Sequence, residues 1–131
     1  MLRGIWIEEK QDLSLLYAMR EKIWGSPMED EMDEWSRHLI IDEDGIPVAV
    51  GTITENLHHR FTFSYLGVVA EKQKMKIGDF LIRIMITDAW EKGAVLLDLM
   101  ADENTRSFFM KEGFLEESRD EKGQIYMKRK L

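Results

Sequence analysis

Between Phe61 and Ala101 the hydrophobic pattern changes period twice, and that change limits what this chain can fold into. "FTFSYLGVV" (61–69) is rich in aromatic and β-branched residues and reads as a strand. From Ile77 to about Glu91 the apolar residues Ile77, Phe80, Leu81, Ile84 and Met85 recur at helical spacing, and Ile82, Ile86 and Trp90 widen the stripe. Lys92-Gly93 supplies a stop, and "AVLLDLMA" (94–101) reads as a buried strand. A strand, a helix and a strand in succession require a parallel pair, because the helix carries the chain back across the sheet.

The flanking segments supply antiparallel neighbours. "RGIWIEE" (3–9) reads as a first strand. Asp12 can cap a helix whose apolar side collects Leu13, Leu16, Tyr17, Ile23 and Trp24, and Gly25-Ser26-Pro27 breaks it. A short acidic helix is expected from Met28 to Trp35. Two apolar stretches then flank Asp44-Gly45, a strong hairpin signal. A second turn near "ENLHHR" leads into the 61–69 strand, so three strands form a meander. Asn104 to Glu112 reads as a short helix ended by Gly113, and two strands close the chain around Glu121-Lys122-Gly123. The fold class is therefore α+β, a three-layer α/β arrangement. Its mixed, mostly antiparallel central sheet has about six to seven strands, with helices on both faces.

At 131 residues, the chain (1–131) is expected to be a single domain. A net charge of -7 argues against a nucleic-acid partner, whose phosphates the surface repels. No apolar run is long enough to span a bilayer, so no membrane partner is expected and a cytoplasmic location is the default. With no cysteine and no third ligand beside His58 and His59, no metal site is read. The acid concentrated in "MEDEMDEW" (28–35) and "DED" (42–44) reads either as a solvated face or as a surface that attracts a cationic acceptor.

Within this acidic chain, "VVAEKQKMKIGDF" (68–80) places Lys72, Lys74 and Lys76 where a strand ends and a helix opens. Such a turn presents unpaired N–H groups at the positive end of a helix dipole and is suited to phosphate. Gly78 lets a ligand approach closely. The lysines read equally well as exposed loop charge.

The order of elements and the phrase "YLGVVAEKQKMKIGDFLIRIMITDAWEKG" resemble the GNAT N-acetyltransferase superfamily. In that family a strand is followed by Gln/Arg-x-x-Gly-x-Gly/Ala, whose amides hold the pyrophosphate of acetyl-CoA. The matching residues are Gln73, Lys74, Met75, Lys76, Ile77 and Gly78, with Lys76 at the first glycine position. A lysine there retains its N–H but carries a cost if the backbone needs a positive φ. "ADENTRSFFMKEGF" (101–114) is similar to the family's strand, loop and helix ending in Phe-Tyr-x-x-x-Gly-Phe. The resemblance spans essentially the whole chain. It implies a GNAT-like fold, acetyl-CoA (CoA) as cofactor and acyl transfer to a small-molecule or peptidyl amine by direct attack. A homodimer is compatible with such a sheet.

The resemblance also implies roles. Leu66, Gly67 and Val68 would pair with the pantetheine arm and polarise the thioester. Asn104 would contact the cofactor or cap the helix after it, and Phe108 would pack against the core or the cofactor. Phe109 stands where the family commonly has the tyrosine that protonates the leaving thiolate. Tyr65 is a candidate substitute, with Tyr126 and Ser107 behind it. Glu55 is the candidate base. The missing hydroxyl keeps a second reading open, a catalytically weak or inactive acyl-CoA-binding sensor or interaction protein of the same fold.

Overall fold

The structure is a computed structural model that describes residues 1–131. The chain runs β1 (Leu2–Ile7), α1 (Ser14–Trp24), β2 (Arg37–Glu43), β3 (Ile46–Glu55), β4 (Arg60–Val68), α2 (Ile77–Glu91), β5 (Leu96–Ala101), α3 (Arg106–Lys111), β6 (Leu115–Arg119) and β7 (Ile125–Lys130). All strands join one seven-stranded sheet in the order β1-β2-β3-β4-β5-β7-β6. Only β4 and β5 run parallel, as the strand-helix-strand unit requires. The expected mixed sheet and its single parallel pair are both present.

The layers follow from strand alternation. Thr52 receives a hydrogen bond from Arg20 of α1 (3.0 Å), while Met85 of α2 crowds its neighbour Gly51. Adjacent strand residues face opposite ways, so α1 and α2 lie on opposite faces of the sheet. A ladder of rings, Phe63, Phe114 and Phe109, joins β4 to α3 on the α2 side, with centroids 6.3 and 6.1 Å apart. No helix is long and apolar enough to cross a membrane.

Two local expectations are corrected. Residues 28–35 contain only a single 3-10 turn at Asp33–Trp35, not a continuous acidic helix. Carboxylates capture the amides a helix would use: Asp30 N–H donates to Asp33 Oδ2 (2.9 Å) and Met32 N–H to Asp30 Oδ1 (2.8 Å). Asp12 stands one residue before the cap position, occupied by Leu13, although its carboxylate still accepts from Ser14 N–H (2.9 Å).

What fixes the 28–36 segment is a buried ion pair. Arg20 is fully buried on the inner face of α1 beside Leu16 and Met19. Its guanidinium donates in a fork to Asp33 (2.8 and 3.0 Å), to Thr52 and to the Met28 carbonyl. Tyr17 O–H also donates to Asp33 (3.0 Å), and the Tyr65 ring lies 4.2 Å beneath the guanidinium carbon. Burial pushes the Asp33 carboxyl up, but the Arg20 bonds and the Asp30 amide outweigh it and hold it below the ordinary carboxylate range. That contribution to stability is complete above the ordinary carboxylate pKa and is lost as pH falls through the lowered one. Removing one partner leaves a buried unpaired charge, so Asp33→Ala is expected to lower the unfolding free energy by about 3–5 kcal/mol. Urea denaturation at neutral pH checks it; a loss below about 1 kcal/mol would mean that the pair contributes no more than a surface one.

Candidate functional site

The parallel seam is short. β4 pairs with β5 only from Arg60 to Phe63, opposite Leu96 to Leu99. Beyond it β4 continues to Val68, while β5 follows β7 to Ala101. The strands part like a V and leave the β5-facing edge of β4 open from Ser64 to Val68. Backbone groups on such an edge are available to an extended ligand.

A bulge sits at the point of parting. Across the β3–β4 ladder Thr52 opposes Ser64 and Val50 opposes Gly67, so Tyr65 and Leu66 together face the single residue Gly51. Tyr65 takes a left-handed φ of 51° to make this turn. A Cβ on Gly51 would lie 2.6 Å from Met85 Sδ and 2.9 Å from a Leu66 methyl, so the missing side chain gives both their space. The bulge sends Leu66 toward α2 and Tyr65 toward Arg20 of α1. Gly67 then faces Trp24, where an added Cβ would stand 2.7 Å from the indole.

The basic turn closes the open end of the V. Lys74 and Lys76 both adopt positive φ, 70° and 61°, and α2 begins at the next residue, Ile77. The backbone at the first glycine position thus has the conformation a glycine would favour, held here by lysine. Gln73 Nε2 donates to the Val68 carbonyl (3.1 Å) and ties the turn to the strand. Lys72 is occupied by Glu43, 2.6 Å away, whose hydrogen bond raises its pKa. Lys74 and Lys76 are exposed beside the first amides of α2, which have no partner within the helix.

These pieces enclose a cleft of about 840 Å³ between β4, the end of α1, the basic turn, α2 and α3. Leu66, Gly67, Val68, Gln73, Lys74, Lys76, Gly78 and Phe108 all line it. Three expected residues do not: Met75 is exposed outside it, Ile77 is buried in the core beneath it, and Asn104 is exposed beyond its rim. Asn104 does not cap α3 either. Thr105 holds the cap position without a side-chain cap bond, and Asp102 fixes the turn before it, accepting from Thr105 N–H (2.9 Å) while Thr105 Oγ1 accepts from Asp102 N–H (3.1 Å). Phe109 is buried at the cleft wall, edge-on to Phe108 at 5.1 Å. Ile23, Trp24, Asp79, Arg83 and Glu112 also line the cleft. Helical periodicity reads the first two as core, and nothing in the sequence singles out the other three.

On the α1 side of the bulge lies a smaller cavity of about 160 Å³, lined by Asp30, Asp33, Ser36, Thr54, Asn56, Ser64 and Tyr65 among others. Tyr65 and Leu66 are neighbours in sequence yet line different cavities. Tyr65 O–H donates to Asp30 Oδ2 (2.7 Å); that bond, with burial, raises the phenol pKa above its ordinary value. Glu55 stands exposed at the end of β3 and lines neither cavity.

The sequence model of the Acetyltransferase (GNAT) family matches residues 6–114. A search of curated protein sequences gave no significant match. Among solved structures the chain is similar to an acyl-CoA N-acyltransferase from Pseudomonas aeruginosa, with TM-score 0.82, 16% identity, and coverage of 98% of this chain and 99% of that one. It is also similar to a Bacillus subtilis acetyltransferase in complex with CoA (0.79, 18%, coverage 100% and 99%). A GNAT family acetyltransferase from Elizabethkingia anophelis with acetyl-CoA bound aligns at 0.80 with 13% identity, covering 99% and 98%.

The left-handed lysine makes a quantitative expectation possible. An L-residue in this conformation costs about 1–2 kcal/mol, against roughly 0.5–1 kcal/mol for the extra unfolded-state freedom of glycine. Lys76→Gly is expected to raise stability by about 0.5–1 kcal/mol in urea denaturation. A loss of stability would show that the lysine side chain contributes more than its backbone strain costs.

Proposed function

Because the chain belongs to the Acetyltransferase (GNAT) family, we propose that it transfers the acetyl group of acetyl-CoA to a primary amine of a small molecule or peptide. The observation that carries this reading is the coincidence, at one place, of the open β4 edge, the bulge and the basic turn. An extended, phosphate-bearing ligand fits that combination. Lys74, Lys76 and the first amides of α2 hold its phosphates. The edge of β4 from Leu66 to Val68 pairs with its amide-containing arm, and Trp24 and Ile23 cover that arm at Gly67. Acetyl-CoA supplies the acyl group already activated as a thioester.

The bulge orients the two partners. Leu66 faces the cofactor cleft and Tyr65 the polar cavity, so the amine approaches from the Asp30 side. Asp30 receives the protonated amine there and Tyr65 holds the carboxylate in place (2.7 Å). Glu55, read from the sequence as the base, is exposed at the end of β3 and lines neither cavity, so Asp30 is the carboxylate placed to draw a proton from the amine. The ammonium first gives up one proton through the acceptor cavity. The neutral amine then forms the C–N bond, the C–S bond breaks, the second N–H proton leaves by the same route and the departing thiolate takes a proton from water.

The thiolate side is weaker. Phe109 has no hydroxyl and its ring is packed between Phe108 and Phe114. Loss of a general acid typically costs about 100- to 10,000-fold, although a thiolate is a tolerable leaving group and water can protonate it. This same residue favours the second reading, a protein that binds acyl-CoA with little turnover.

Thiol release from acetyl-CoA, measured against a panel of primary amines, tests the reading. Release is expected with a polar amine, and Phe109→Tyr is expected to accelerate it by about tenfold or more. Binding without release in either form would favour the sensor, and failure of CoA to bind would overturn both readings.

A further inference from the structure

A cleft read as the seat of a polyanion carries two carboxyl groups in its wall, Asp79 and Glu112. Asp79 lies in the first turn of α2, and Glu112, just past α3, is only 9% exposed. One guanidinium serves both: Arg83 Nε is 2.9 Å from Asp79 Oδ1 and 3.9 Å from Glu112 Oε2. The other charges facing the pair are Lys76 at the start of α2, Lys111 beside Glu112, and Arg129 of β7. Arg129 Nη1 donates to the Glu112 backbone carbonyl (2.6 Å). Burial, then the hydrogen bond with Asp79, pushes the Glu112 carboxyl up to about 7. The same bond, with Arg83, holds Asp79 below the ordinary carboxylate range. Two carboxyls sharing one site resist ionising together, so Glu112 gives up its proton only near neutral pH.

We infer that this pair makes the cleft a proton-coupled anion site, in which the phosphates of CoA bind together with a proton taken up by Glu112. The inference rests on the cofactor reading given above. Phosphates held by Lys74, Lys76 and the start of α2 share the cleft with the pair, and each added negative charge favours the protonated carboxyl. The step is an acid-base one: the Glu112 carboxylate plus a solvent proton becomes a carboxylic acid hydrogen-bonded to Asp79, and no other bond changes. The sign follows from linkage. The bound form holds the proton more tightly than the free form, so affinity is full below the free-state value near 7 and falls as pH rises through the bound-state value. Each unit between the two values is about tenfold in affinity.

Isothermal titration of the full chain with CoA, in two buffers of different ionisation enthalpy from about pH 6 to about pH 8.5, tests this. The 3′-phosphate of CoA itself titrates near pH ~6, so 3′-dephospho-CoA is run in parallel. Proton uptake is expected with both ligands, along with an affinity loss of about tenfold across the range. Glu112→Gln should abolish the uptake, flatten the profile and bind tighter than the native chain at the alkaline end. Asp79→Asn removes the partner that keeps the proton on Glu112 and should move the uptake to lower pH. Binding without uptake in the native chain, or uptake retained in Glu112→Gln, overturns the inference and leaves the cofactor reading intact. No saturable CoA binding at any pH overturns both.

Discussion

Four residue pairs, Arg60–Phe63 against Leu96–Leu99, are the only ladder joining β1–β4 to β5–β7. The seam is reinforced on both faces. Thr62 O–H donates to the buried Asp98 (2.5 Å), which also accepts from Tyr126 O–H (2.6 Å), and Phe63 packs on Phe114 on the other face. Its shortness is what opens the site. Had β4 stayed paired to Val68, the backbone groups that suit an extended ligand would be spent inside the sheet. The bulge at Tyr65 lies just beyond Phe63, the last residue paired with β5, and turns Tyr65 and Leu66 into different cavities.

Holding the strand in that shape takes packing from both helical layers. On one face Met85 and Leu66 fill the space Gly51 leaves; on the other, the guanidinium of Arg20 lies on the Tyr65 ring. Left-handed backbone at Tyr65, Lys74 and Lys76 stores strain where the chain bends around the cleft, of order 1–3 kcal/mol at each residue. The buried Arg20–Asp33 pair also brings Asp30 within reach of Tyr65. The stability of the α1 layer and the form of the polar cavity are therefore set by the same contacts.

Much of this was legible because the informative residues are contiguous. Asp44-Gly45, the change from strand to helical period after Val69 and the stop at Lys92-Gly93 are local signals, and they gave the sheet and its parallel pair. Leu66–Val68 and Gln73–Gly78 were named through the resemblance; of these residues Met75 and Ile77 do not line the cleft and the others do. Asp30 was not legible, since its partner Tyr65 is 35 residues away and only the bulge brings them together. Residues 28–35 misled for a related reason: acid-rich composition suits a helix start, but Asp30 and Asp33 bind backbone amides instead. Asp79 and Glu112 look like ordinary surface charge until α2 and α3 pack. Asn104 carried a cap signal, yet the turn that Asp102 and Thr105 hold together puts Thr105 at the cap position.

The central claim is that the freed edge of β4 and the first amides of α2 together bind acetyl-CoA. Amide hydrogen exchange, resolved by residue and followed with and without acetyl-CoA, addresses it most directly. The account predicts slowed exchange confined mainly to Leu66–Val68 and Lys76–Gly78 when the cofactor is added. Saturable binding that leaves both segments unprotected would contradict it.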